Sequence, residues 1–156
     1  GNTIDQSTQT SVAAVGAYRN GTITFSGANS VTGSNTALDI YYGSQLRAYY
    51  GLLTVNGNSG VGYDAQINLR DANHIGNITV YTKGSVRLQN RTNQTTDSVT
   101  VTGNISVNDF SVFNANGNTT VNGSIVCNSP LSSASSRGTV TGELINCDML
   151  SNLFPQ

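Results

Sequence analysis

The octapeptide TVTGNISV, Thr100 to Val107, returns as TVNGSIVC at Thr120 to Cys127 and as TVTGELINC at Thr139 to Cys147. The three starts lie 20 and 19 residues apart. Shorter echoes begin at Thr79 (TVYTKGSVRL), Thr54 (TVNG) and Thr24 (TFSG). A second pair of apolar positions follows each phrase: Ile67 and Leu69, Val86 and Leu88, Ile105 and Val107, Ile125 and Cys127, Ile145 and Cys147. Two columns sharing one period are the mark of a repeat architecture. Within the phrase, Val101, Gly103, Ile105 and Val107 have one parity, so a strand turns them all to one interior. The Gly stands where a side chain would obstruct a bend between two short strands. A single such unit cannot bury its apolar face, but stacked copies can, each strand pairing in parallel with its neighbours. An antiparallel sandwich gives no reason for matched columns at this spacing.

Composition agrees. Asn (20), Thr (19), Ser (18) and Gly (17) make up 74 of 156 residues, with a steady supply of Val, Ile and Leu and only two prolines. That is a single all-β domain rich in turns. The expected fold is a right-handed, single-stranded parallel β-helix of about six rungs of ~20 residues, its handedness taken from the usual crossover rule. Residues 1–22 carry no phrase and read as an N-terminal cap or linker, with a short helix over SVAAVGAY. Residues 23–149 read as the solenoid, with insertions at 28–50 and 58–76. Residues 150–156 read as a tail covering the last rung, where open backbone needs a cover. The chain starts with Gly rather than Met and reads as a processed product or a piece of something longer.

Net charge is −1 and 10% of residues are charged, so no basic patch exists to hold nucleic acid. No apolar run reaches membrane-spanning length, so no membrane insertion is expected. Cys127 and Cys147 share a column on adjacent rungs, where a bridge is geometrically possible. One pair does not make a disulfide framework, and the reading favours two buried free thiols. Two cysteines twenty apart and one His match no familiar zinc site, and no cofactor is expected. The column Thr24, Thr54, Thr79, Thr100, Thr120 and Thr139 is expected to point outward. A flat Thr-x-Thr array suits ice, but Tyr81, Asn56 and Asn122 interrupt its second row, and β-branched Thr suits any strand surface. Seven Asn-x-Ser/Thr triplets follow from composition and are not read as glycosylation sites.

Glycosidase chemistry needs two carboxylates roughly 5–9.5 Å apart. Asp64 and Asp71 are the only pair worth testing as catalytic, and the reading favours solvated turn aspartates over catalysis. His74 stands beside Asp71, but one His and scattered Ser make no triad. Aromatics carry the clearest signal. DIYYGSQLRAYYG, Asp39 to Gly51, holds four tyrosines and Arg47. Tyr offers a flat apolar face and a hydroxyl, suited to sugar rings, protein partners or simple packing. The ligand-binding candidates are Tyr41, Tyr42, Arg47, Tyr49, Tyr50, Tyr63 and His74.

The irregular ~20-residue rungs, the Asn/Ser/Thr/Gly richness, the scarcity of Lys and the aromatic segments on a regular stack resemble the parallel β-helix of bacteriophage tailspikes and tail fibres. The resemblance is architectural. It implies a homotrimer on the virion tail that recognises a bacterial surface polysaccharide, as a structural and adhesive piece or as part of a polysaccharide-degrading enzyme. Val101-Thr-Gly-Asn-Ile105 and Val121-Asn-Gly-Ser-Ile125 also look like bactofilins, which would imply a cytoplasmic filament. A secreted adhesin on the bacterial cell surface is the third expectation.

Overall fold

The computed structural model describes residues 2–8, 12–88 and 97–147. Among them the chain is all β, without a helix, and winds as a parallel β-solenoid of about six turns. The first turn holds β1 (Thr3–Gln6), β2 (Val15–Ala17) and β3 (Thr22–Ser26). The second holds β4 (Asn29–Tyr41), which runs through a corner and supplies two sides, and β5 (Gln45–Tyr50). The third repeats that plan with β6 (Leu53–Gly62) and β7 (Gln66–Leu69). Then come β8 (Ala72–Ile75), β9 (Ile78–Val80) and β10 (Ser85–Leu88); β11 (Val99–Thr102), β12 (Ile105–Val107) and β13 (Val112–Ala115); and β14 (Thr119–Asn122), β15 (Ile125–Cys127) and β16 (Ser133–Ser136). The strands β17 (Thr139–Val140) and β18 (Leu144–Ile145) start a further turn. Every pairing between these strands is parallel, and the stack has three faces. Face one contains β1, β8, β11, β14 and β17 with the first halves of β4 and β6. Face two contains β2, β9, β12, β15 and β18 with the second halves. Face three contains β3, β5, β7, β10, β13 and β16.

The repeated phrase is the passage from face one to face two. Val101 and Ile105 point inward on either side of Gly103, and both are fully buried. Gly103 has φ +152°, and a Cβ there would lie 2.1 Å from the carbonyl oxygen of Gly76 on the turn below. Only Gly allows the turns to approach so closely at this corner. Beside the glycines runs a ladder of side chains. The Asn58 carbonyl accepts from the backbone N–H of Asn77 (2.9 Å), Asn77 from that of Asn104 (2.9 Å), and Asn104 from that of Ser124 (3.0 Å). These bonds satisfy corner N–H groups that no strand ladder reaches, which is a physical reason for the abundance of Asn.

The register corrects two expected columns. Outward on face one stand Thr54, Asn73, Thr100, Thr120 and Thr139. Thr79 instead lies on face two between Gly60 and Ser106, and Thr24 on face three beside Arg47. Likewise Ile67/Leu69 and Val86/Leu88 are face-three pairs, whereas Ile105/Val107 and Ile125/Cys127 belong to face two. The cause is His74. It occupies the inward Val position between Val55 and Val101, so HIGNI, His74 to Ile78, is the missing copy of V-x-G-x-I. In the turn below, Ser59 takes the Ile position, between Leu38 and Ile78. The two polar intruders compensate each other: Ser59 Oγ lies 2.8 Å from His74 Nε2, and both residues are buried.

Residues 28–50 and 58–76 therefore are not additions to rungs. They carry β4, β5, the second half of β6, β7 and β8; the extra length is confined to the β4 corner, where register shifts between Thr32 and Leu38 set residues 33–37 against residues 57–58 of β6. Residues 12–18 form no helix; Val15–Ala17 pairs with Leu38–Ile40 as a strand, and β1 pairs with Ser30–Gly33. The tail 150–156 lies outside the described residues. The cysteines are also corrected. Cys127 and Cys147 are bridged, with Cα atoms 5.0 Å apart. Register pairs Ile125 with Leu144 and Val126 with Ile145, so the expected inward place of Ile145 is taken by Leu144, and Cys147 stands one residue past the position opposite Cys127; the close spacing of adjacent turns still brings the two cysteines within bridging distance.

Candidate functional site

Face two presents two outward columns over its first four turns. One reads Gly16, Asp39, Gly60, Thr79. In the other, two residues further along each strand, stand Tyr18, Tyr41, Gly62 and Tyr81, with Tyr41 opposite Gly62 in register. Tyr41 and Tyr81 are two turns apart, so their backbones are separated by roughly 10 Å. Their ring centroids nevertheless approach to 5.8 Å, because both rings lean over Gly62. A Cβ on Gly62 would lie 2.7 Å from Tyr81 Cβ and 3.3 Å from Tyr41 Cε1. One on Gly60 would lie 2.7 Å from the Tyr41 hydroxyl and 3.1 Å from Asp39 Oδ1. The outward glycines are thus the floor on which a tyrosine cluster closes.

The corner leading to face three adds two more rings. Tyr42 and Tyr63 both sit at φ 54°, the left-handed conformation that turns the chain, and Gly43 N–H donates to the Tyr63 carbonyl (3.0 Å). Stacking of the turns brings the rings to 5.1 Å with 12° between their planes. Tyr41 is the hub, in contact with Tyr18, Tyr42, Tyr63 and Tyr81 at 5.8–6.2 Å. The five tyrosines and Asp39 line a hollow of about 380 Å³. A second hollow of about 240 Å³ shares Asp39, Tyr41 and Tyr81 and continues over Asn35, Asn58, Asn77 and Thr79. Most rings are open to solvent; Tyr42 is 55% exposed and Tyr63 47%.

Asp39 fixes the electrostatics. Its Oδ2 accepts a hydrogen bond from the Tyr18 hydroxyl at 2.6 Å, and this bond pushes the Tyr18 phenol up to about 12. Burial, with the same carboxylate next in importance, holds the Tyr41 phenol far above its ordinary range. Tyr18 donates to Asp39, and burial beside the same carboxylate keeps the Tyr41 phenol in its protonated form. The site is a concave set of ring faces around one carboxylate. Such a surface stacks on flat or cationic groups and accepts hydrogen bonds.

The structure brings Tyr41, Tyr42 and Tyr63 together and puts Arg47, Tyr49 and His74 elsewhere. Arg47 points outward on face three, where it donates to the Gln45 side-chain carbonyl. Tyr49 lies under the Arg70 guanidinium, 4.8 Å from its ring centroid. The side chain of Tyr50 lies outside the described residues. His74 is fully buried and faces the core; burial lowers its pKa to about 4, and its Nδ1 has no partner. Asp64 and Asp71 stand at opposite ends of β7, more than roughly 10 Å apart along the strand, with no shared hollow. Among the described residues no three of His, Cys, Asp and Glu converge as metal ligands. Sequence reasoning passed over Tyr18, Asp39 and Tyr81 as ligand contacts. Their signal was register: once His74 is aligned with Val101, Tyr18, Tyr41 and Tyr81 fall into one column.

In comparisons with protein-family models, curated proteins and solved structures, nothing matched the chain.

Proposed function

We propose that this chain is a rigid solenoid shaft that presents a saccharide-binding site on face two, as the adhesive piece of a bacteriophage tailspike or tail fibre that touches host surface polysaccharide. The observation that carries this reading is the tyrosine hollow around Asp39. Ring faces stack on the apolar faces of sugars, Asp39 accepts sugar hydroxyls, and Asn35, Asn58 and Asn77 extend the polar lining along the groove. The hollow contains a single carboxylate, whereas glycoside hydrolysis needs two, so binding is favoured over cleavage. On this reading the solenoid is right-handed and the assembly a homotrimer. Exposed Phe110, Val112 and Leu131 on the fifth and sixth turns supply apolar surface of the kind that copies bury against each other. A second reading, a secreted bacterial adhesin, is favoured by the Cys127–Cys147 bridge, which suits an oxidising compartment and counts against a cytoplasmic filament.

The test is binding to an array of bacterial surface glycans. Tyr42→Asn and Tyr63→Asn remove the exposed rings while placing at φ 54° a residue that accepts it. Each is expected to weaken binding about tenfold, the equivalent of about 1.4 kcal/mol, with the urea midpoint preserved. Arg47→Ala is expected to leave binding unchanged. Loss of binding in Arg47→Ala with full binding in both Tyr variants would overturn the assignment.

A further inference from the structure

The hollow on face two has a charge asymmetry that a general sugar site does not need. Its lining is five tyrosines and one carboxylate, with no Lys or Arg among them. The adjoining hollow is lined by Asn, Thr, Ser, Gly and Tyr around the same Asp39, again without a cation. Asp39 stands between Gly16 and Gly60 in register, so no neighbouring side chain in its own column covers it. Among the described residues, the carboxylate oxygen Oδ2 accepts from a hydroxyl, that of Tyr18 at 2.6 Å. Hydroxyls orient a carboxylate without neutralising it. A phenol that donates to a carboxylate also gains electron density in its ring, which strengthens the negative face that attracts cations. Tyr18 is held in that state by its bond to Asp39, and the Tyr41 hydroxyl and Asp39 Oδ1 both lie over Gly60, within 2.7 and 3.1 Å of where its Cβ would be. The rings stand at two orientations: Tyr18 and Tyr41 are near-parallel (11°), while Tyr42, Tyr63 and Tyr81 are tilted 40–47° from Tyr41. Faces set at an angle around a void enclose a rounded group better than they sandwich a flat one.

From this geometry we infer that the hollow is a cage for an organic ammonium group, cradled by Tyr18, Tyr41, Tyr42, Tyr63 and Tyr81 and neutralised by Asp39. The inference rests on the saccharide reading above and narrows it: the recognised glycan carries an amine, either N-methylated as in a choline substituent or free as in an amino sugar. An acidic polysaccharide is disfavoured, because its carboxylates would meet Asp39.

Two matched pairs of probes test this on the full chain. Choline is compared with 3,3-dimethylbutan-1-ol, which has the same shape without the charge. Glucosamine is compared with N-acetylglucosamine, whose amine is capped. The chain has seven Tyr and no Trp, so tyrosine fluorescence reports on the cage directly. The charged member of at least one pair is expected to bind at least tenfold more tightly than its neutral counterpart. Asp39→Asn, which keeps the shape and the acceptor for Tyr18, is expected to lose at least tenfold in affinity while unfolding at the wild-type urea midpoint. Which pair responds tells an N-methylated amine from an amino sugar. Equal binding of charged and neutral members, or a charge preference that survives Asp39→Asn, overturns the cage. If none of the four binds, the cage is again overturned. The saccharide reading then stands or falls separately, on whether Tyr63→Asn still weakens binding to the glycan array.

Discussion

His74→Val makes a pH-dependent stability disappear. In the folded chain the imidazole is fully buried between Val55 and Val101, and its pKa is lowered from 6.5 to about 4 by loss of water around the charged form. In the unfolded chain it titrates near 6.5. Between these values the unfolded state takes up a proton that the folded state refuses. Stability is therefore full above about pH 6.5, falls as pH drops through the window, and levels off below about 4. The difference of about 2.5 pKa units corresponds to about 3 kcal/mol. Val restores the column but leaves the Ser59 hydroxyl without its partner, at a cost of about 1 kcal/mol, which Ser59→Ile in the same chain removes. Urea unfolding of wild type, His74→Val and the double variant at pH 7.5, 6, 5 and 4 reads all three terms. Carboxylates titrate in every variant and cancel in the difference. The double variant should equal wild type within about 1 kcal/mol at pH 7.5 and exceed it by about 3 kcal/mol at pH 4. Wild-type and variant curves running parallel across the whole range would refute a buried neutral His74.

Two glycines with positive φ should respond unequally to the same substitution. Gly103→Ala drives a Cβ to 2.1 Å from the Gly76 carbonyl, and should cost more than about 3 kcal/mol or abolish folding; Gly27→Ala meets no atom within 4 Å and should cost about 1 kcal/mol, both read by urea melts. The Cys127–Cys147 bridge closes a loop with a sequence separation of 20 and should contribute about 3 kcal/mol. Thiol titration of the unfolded, unreduced chain should find no free cysteine, and reduction should lower the thermal midpoint.

The late turns are legible in sequence because nothing interrupts them: Val101, Val121 and Val140, then Ile105, Ile125 and Leu144, stack in uninterrupted apolar columns with glycines between. The early turns hide the same phrase. His74 for Val and Ser59 for Ile look like surface residues when read singly, and their compensation is a contact between turns that no linear pattern displays. With those two positions unread, 28–50 and 58–76 look like additions, and the Thr79 phrase slides onto the wrong face. The cluster suffers from the same slip. Tyr41, Tyr42 and Tyr63 announce themselves as a local excess of rings, but Tyr18 and Tyr81 enter only through register, and Asp39 only because Gly16 and Gly60 flank it. Tyr49 shows the limit of the local signal, since its ring is engaged by Arg70 on another part of the stack.

On the proposed function, ligand meets the chain at the face-two cage. Ring-labelled tyrosine gives seven reporters, among them the five of the cage and Tyr49, whose ring lies under Arg70 and away from the cage. The most direct measurement is an NMR titration of those rings with the tightest oligosaccharide from the glycan array. Signals of Tyr18, Tyr41, Tyr42, Tyr63 and Tyr81 are expected to move together along one binding curve while that of Tyr49 stays in place. Movement of the Tyr49 signal with the cage signals unchanged would contradict binding at the cage.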